Sequence, residues 1–157
     1  MSMKKKFIIL YYSKEGNTHQ LAKRFWDIFR EFIPNKYGIE MMKIQEMDFE
    51  SLRASIGIIV GSPDYYGYVA GHIKIFFDEI LEYDYKKDFK NKPAIGFITH
   101  GGGGEAAKSL LSLLTYLKFD IIKPIISVKE KNITSKIESQ IQKSLMKLLK
   151  LAEDADY

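Results

Sequence analysis

An apolar run followed by an amphipathic stretch recurs along this chain. Phe7-Ile8-Ile9-Leu10-Tyr11-Tyr12 is a continuous β-prone run, the pattern of a strand covered on both faces. Leu21, Phe25, Ile28, Phe29 and Phe32 then fall at helical spacing, with Pro34 as the stop. Residues 39–44 read as a second strand, 48–52 as a helical turn or two, and 56–60 as a third strand. Ile73, Phe76, Phe77, Ile80 and Leu81 form the next helical stripe. Residues 94–99 read as a fourth strand, 110–117 as a helix and 121–128 as a fifth strand. Ile137, Ile141, Leu145, Leu148 and Leu149 predict a last helix, opened by a capping box Ser135-x-x-Glu138.

Strands alternating with helices predict an α/β domain with a parallel sheet between helical layers. Five strands in 157 residues fit a three-layer α/β/α arrangement with the strand order 2-1-3-4-5. Pro124 lies inside the fifth strand. Proline cannot donate to a ladder, so this strand is expected at the sheet edge, where that order puts it. No repeat or break in composition divides residues 1–157, so one domain is expected.

Composition narrows the chemistry more than the fold. There is no cysteine, which removes disulfides, thiolate metal sites and thiol nucleophiles together and points, weakly, to the cytoplasm. The leading apolar run is far shorter than the ~20 residues that span a bilayer. No small-residue cleavage pattern follows it, so neither a membrane span nor a signal peptide is expected. The formal charge is +4, from 24 basic and 20 acidic residues. The lysines are spread out and form no basic stripe interleaved with aromatics, so nucleic acid is not an expected partner. His19, His72 and His100 lack metal-ligand spacing.

Ligands of doubly wound sheets bind beyond the carboxyl ends of the strands, at the topological switch point. After strand one comes Ser13-Lys14-Glu15-Gly16-Asn17-Thr18. Hydroxyls at both ends, a central glycine and a helix start behind make an anion cradle. The plainer alternative is a turn in which Asn17 caps the helix and Gln20 completes a capping box. The triphosphate pattern GxxxxGK[ST] is missing. After strand three, residues 61–71 make an eleven-residue segment that includes Ser62, Pro63, Asp64, Tyr65, Tyr66, Gly67 and Tyr68. That is long for a βα loop, and its tyrosines supply flat amphipathic surfaces suited to a planar ring. They also suit a cover for the sheet end or a homodimer contact. After strand four, Thr99 and His100 lead into Gly101-Gly102-Gly103-Gly104. Such a run costs entropy on ordering and fits a backbone that must pass flat against a ligand. His100 is the best placed of the histidines to face a site there.

Other users of this topology fail on chemistry. A phosphate-receiver domain needs acidic residues after strand one and an Asp ending strand three, where this chain has Tyr12-Ser13 and Gly61-Ser62. A low-molecular-weight phosphatase needs a cysteine. No GxSxG elbow occurs.

At its three loops the chain resembles the flavodoxin-like superfamily. Tyr11-Tyr12-Ser13-Lys14-Glu15-Gly16-Asn17-Thr18 looks like that family's phosphate loop, with Glu15 where a third hydroxyl is usual. The segment from Gly61 to Gly67, with Ile73-Lys74 and Phe77-Asp78 behind it, is similar to the Ser/Thr-Pro-x-Tyr stretch of its NAD(P)H-dependent reductases. Thr99 to Gly104 resembles its glycine-rich flavin loop. The resemblance implies FMN, with its phosphate at 13–18 and its isoalloxazine between 62–68 and 99–104. Tyr65 or Tyr66 would then stack on or edge the ring, and Glu15 would point to solvent. It implies an FMN-dependent oxidoreductase taking electrons from NAD(P)H to quinones or flavins, or a carrier docking on redox partner proteins. An apo module that keeps the fold without cofactor is a third reading, supported only by Glu15. The Ser-Pro-x-Tyr segment favours the enzyme and Gly-Asn-Thr the carrier. The charge of +4 counts against the acidic docking surface of a typical carrier.

Overall fold

The computed structural model describes residues 4–83 and 85–155. Seven residues, Lys5–Tyr11, form β1, followed by α1 (Asn17–Arg30) and β2 (Tyr37–Lys43). A 3-10 turn (Ile44–Glu46) and α2 (Phe49–Ala54) lead to β3 (Gly57–Tyr65), β4 (Tyr68–Val69) and α3 (Gly71–Glu82). The chain closes with α4 (Lys86–Phe89), β5 (Pro93–His100), α5 (Ala106–Tyr116), β6 (Asp120–Lys129) and α6 (Ser135–Ala155). The main sheet is parallel, in the order β2-β1-β3-β5-β6. This is the predicted 2-1-3-4-5 order once the two-residue β4 is set aside. The sixth strand is the difference: β4 pairs antiparallel with the end of β3 and escapes hydrophobic periodicity because it is only a hairpin return.

Strict alternation along β1 supplies both cores. Ile8, Leu10 and Tyr12 pack on one face with α3 and α5, while Phe7, Ile9 and Tyr11 pack on the other with α1 and α6. On the second face the ring of Phe25 from α1 stacks on Phe97 of β5 at 4.9 Å. Full burial of such side chains stabilises by roughly 1.5–3 kcal/mol each, which is why the unbroken apolar strands locate the sheet so well. The β6 strand is the edge, as Pro124 requires. Its pairing with β5 shifts register between Ile95↔Ile122 and Phe97↔Ile126, so the proline sits where the ladder is interrupted.

Two local expectations are corrected. The start of α6 is capped by Thr134, whose hydroxyl accepts from Ile137 N–H at 3.3 Å, and not by a Ser135–Glu138 box. Glu138 is drawn away by Arg24 of α1, 2.8 Å off, and the pair ties the two helices of that layer together. The eleven-residue loop after strand three is mostly not a loop. The strand runs on to Tyr65 and the chain turns straight back, because Tyr66 and Gly67 both take positive φ (57° and 80°), the requirement of a two-residue hairpin turn.

Candidate functional site at the carboxyl ends of the strands

The first turn of α1 is left open. Gly16 is its N-cap at φ +97°, a conformation open to glycine, and no side chain caps the helix. Asn17 is the first helical residue, so the alternative in which it caps the helix is not realised. The Ser13 hydroxyl oxygen accepts from Gly16 N–H at 3.0 Å, which holds the turn and leaves its own hydrogen free to donate. Orphan N–H groups and the positive end of the helix dipole therefore meet at the loop. Thr18 is buried, and its hydroxyl lies 2.7 Å from that of Thr99 at the end of β5. This bond joins two of the three predicted segments. Lys14 and Glu15 are exposed.

The β3–β4 hairpin is braced and tied to α5 by its own Asp64. One carboxylate oxygen accepts from Gly67 N–H at 2.7 Å, and the other from Ala106 N–H at 3.0 Å, at the start of α5. Val69 N–H donates to Ser109 of the same helix at 3.2 Å. Ser62 is fully buried; its hydroxyl accepts from Ala70 N–H at 2.9 Å and donates to Pro63 C=O at 2.8 Å. Tyr65 meets Tyr12 edge-on at 6.3 Å, and Tyr12 stacks flat on His72 at 4.2 Å. Burial, then the neighbouring Tyr12 and the Glu15 carboxylate, raise the Tyr65 phenol above its ordinary pKa.

Between these segments lies a cleft of about 400 Å³, within the usual size of small-molecule sites. Residues 13–15, 17 and 18 from the first loop line it, with Pro63, Asp64 and Tyr65 from the hairpin and Thr99, His100 and Gly101 from the third segment. Of the predicted residues, Gly16 lies instead in a smaller adjoining cleft with Tyr11, His19 and Lys43. Gly67 and residues 102–104 line another, with Glu105. Ser62 holds backbone, and Tyr66 is fully exposed. The Nδ1 atom of His100 is buried without a hydrogen-bond partner, alone in this among the described side chains. Glu130 and Lys131, which follow β6, also line the main cleft. They went unseen because no motif marks them; the strand order alone would have pointed there, since β6 neighbours β5. No group of three or more His, Cys, Asp or Glu suited to a metal occurs among the described residues, nor a helix long and apolar enough to cross a membrane.

A five-strand doubly wound sheet with this cleft at its switch point has the flavodoxin-like fold. The flavodoxin family model matches residues 9–143, and the chain belongs to that family of FMN-binding redox proteins. A flavodoxin of Clostridium saccharobutylicum is 32% identical over 117 residues, covering 71% of this chain and 67% of that protein. A flavodoxin from the domain Archaea superimposes with a TM-score of 0.79 at 19% identity, covering 94% of this chain and 99% of that one. An oxidoreductase from Corynebacterium diphtheriae gives 0.80 at 15% identity, covering 98% and 99%. At such identities the solved structures speak for the fold alone.

The residues present fit FMN. A phosphate dianion needs donors, and the uncapped first turn of α1 with the Ser13 and Thr18 hydroxyls offers them. Glu15 is exposed, and it lines the cleft together with Lys14 and Lys131.

Proposed function

We propose that the main cleft holds FMN, with its phosphate on residues 13–18 and its ring between Tyr65 and the segment 99–101, and that the loaded protein is an NAD(P)H-dependent oxidoreductase for quinones or flavins. The observation that carries this is the convergence of the uncapped α1 start, Tyr65 and the end of β5 on one cleft. Ser13, Thr18 and the first-turn N–H groups bind the phosphate. Charge-assisted bonds of this kind contribute about 1.5–3 kcal/mol each. Tyr65 supplies an aromatic wall, worth roughly 1–3 kcal/mol by analogy with stacked bases. Bound FMN supplies the redox chemistry; the chain orients the ring and shapes the field around it. Asp64 fixes the hairpin wall, and the Thr18–Thr99 bond sets the spacing between the phosphate and ring subsites. No side-chain acid or base is obligatory in this reading.

The test is an FMN titration of the apo protein, with riboflavin in parallel. Thr18→Ala is expected to weaken FMN about ten- to a hundredfold, the equivalent of one charge-assisted bond, and riboflavin far less. Equal losses for the two ligands would place the phosphate elsewhere.

A second reading, an electron carrier docking on partner proteins, is favoured by the exposed hairpin tyrosines Tyr66 and Tyr68 beside the cleft. Anaerobic NADPH separates the two. Rapid bleaching of the bound flavin supports the enzyme, and reduction only through a separate reductase supports the carrier.

A further inference from the structure

The first loop faces two clefts, and the FMN reading uses one of them. The second, of about 220 Å³, lies across the ridge made by Ser13 and Lys14, which line both. Its volume is below that of drug-sized sites, about 300–1,000 Å³, so it suits one group of a ligand and not a whole one. His19 of α1, Lys43 at the end of β2 and Gln45 in the turn after it meet Lys14 there.

These groups are set up to donate. The Tyr11 phenol is buried, and its oxygen lies 2.7 Å from His19 Nδ1. Burial, then the Glu46 carboxylate, raise the Tyr11 pKa above its ordinary value, so the phenol stays an O–H and donates to Nδ1. A neutral imidazole then carries its hydrogen on Nε2, the nitrogen that Tyr11 does not hold. Lys14 and Lys43 are exposed, and neither is ion-paired among the described residues, whereas Lys6, Lys23 and Lys74 each are. Glu46 acts on Tyr11 and Glu15 lines the main cleft, but neither lines this one. Two ammonium groups beside an imidazole N–H and an amide suit a phosphate monoester, a dianion with three acceptor oxygens, better than a carboxylate with two. Position adds to charge. The cleft begins at the residues that hold the FMN phosphate in the reading above, and two unpaired lysines offset the repulsion between adjacent anions.

We propose that the cleft between Lys14, His19 and Lys43 holds a second phosphoryl group beside that of FMN, either joined to it as in a flavin dinucleotide or carried by a separate nucleotide. The proposal rests on the FMN reading and adds a neighbour to its phosphate subsite.

The test compares FMN with flavin adenine dinucleotide on the apo protein by flavin fluorescence, and titrates adenosine 2′-phosphate into the FMN-loaded protein by calorimetry. Lys43 lies outside the main cleft, so Lys43→Ala is expected to leave FMN affinity within about twofold. If the second group is joined to the flavin, Lys43→Ala weakens the dinucleotide about tenfold, the size of one partly screened charge-assisted bond. If a separate nucleotide carries it, the adenosine phosphate binds the loaded protein saturably and loses about the same factor. Lys43→Arg keeps the charge and should keep most of the affinity in whichever arm responds. Lys43 is exposed, so both variants should melt with the unaltered protein. The proposal is overturned if Lys43→Ala weakens neither ligand, or if it weakens FMN in parallel with them. Failure of the unaltered protein to take up FMN is a separate result, and it removes the underlying reading together with this one.

Discussion

The two ends of the sheet treat their polar groups in opposite ways. At the amino end, Lys92 is buried just before β5. Its ammonium donates to Leu52 C=O at 2.9 Å, Arg53 C=O at 2.8 Å and the Ser55 hydroxyl at 3.2 Å. It thereby closes the carboxyl end of α2 and lies over the Phe89 ring at 4.7 Å. Arg53 is paired with Asp88 and Glu50 and covers Tyr85. At the carboxyl end, α1 starts without a side-chain cap, His100 Nδ1 has no partner, and Gly101 and Gly102 face open space. Burying a polar group without a partner costs about 1–3 kcal/mol, so a chain that completes one end and leaves the other open keeps those groups for something outside itself. The exception at the carboxyl end is Asp64, whose two oxygens are both engaged; it is scaffolding within an otherwise receptive surface.

That contrast can be broken by substitution. The largest effect is expected at the finished end. Lys92→Met should cost about 2–4 kcal/mol in chemical denaturation, since it leaves the carbonyls at the end of α2 without their donor, while FMN affinity should stay put. A loss of FMN affinity to match would show that the two ends are not independent. Burial lowers the Lys92 pKa to about 8, with Asp88 opposing the shift. In the unfolded chain lysine titrates near 10.4. Between these values the unfolded state binds more protons, so Lys92 makes stability rise with pH. The stability difference between the unaltered protein and Lys92→Met should therefore widen from pH 8 toward 10; a flat or narrowing difference would contradict the assignment.

Next comes the scaffold inside the open end. Asp64→Ala removes the acceptor for two backbone N–H groups and should cost about 1.5–3 kcal/mol. FMN binding should weaken too, because the hairpin wall is released. Asp64→Asn keeps one acceptor oxygen and should lose about half as much. If both variants keep full FMN affinity, the hairpin does not wall the flavin site. The smallest effect is expected from Gly67→Ala, about 1 kcal/mol, from placing a Cβ at φ +80°. Thermal melting resolves a change of that size, and an unchanged midpoint would mean that the turn relaxes at no cost.

Much of this is legible in the order of residues. Three apolar strands buried on both faces and two half-buried ones, spaced by amphipathic helices, leave few topologies, and Pro124 alone places the fifth strand at an edge. Segments 13–18 and 99–104 stand out because their hydroxyls and glycines have no use in a hydrophobic core. The hairpin is less legible. Its turn needs positive φ at a tyrosine, for which Tyr66 carries no local signal, so residues 61–71 read as one long loop. The Ser135–Glu138 box fails because Arg24, more than a hundred residues away in sequence, competes for Glu138.

The order of apolar and polar residues, by itself, settled the sheet and its layers, because burial of apolar surface drives folding most strongly and its period is written locally. Tertiary structure alone decided which donors remain free, which carboxylate is scaffolding and how the clefts divide. Those outcomes depend on partners brought together from distant parts of the chain: Thr18 with Thr99, Asp64 with Ala106, and Lys92 with the end of α2.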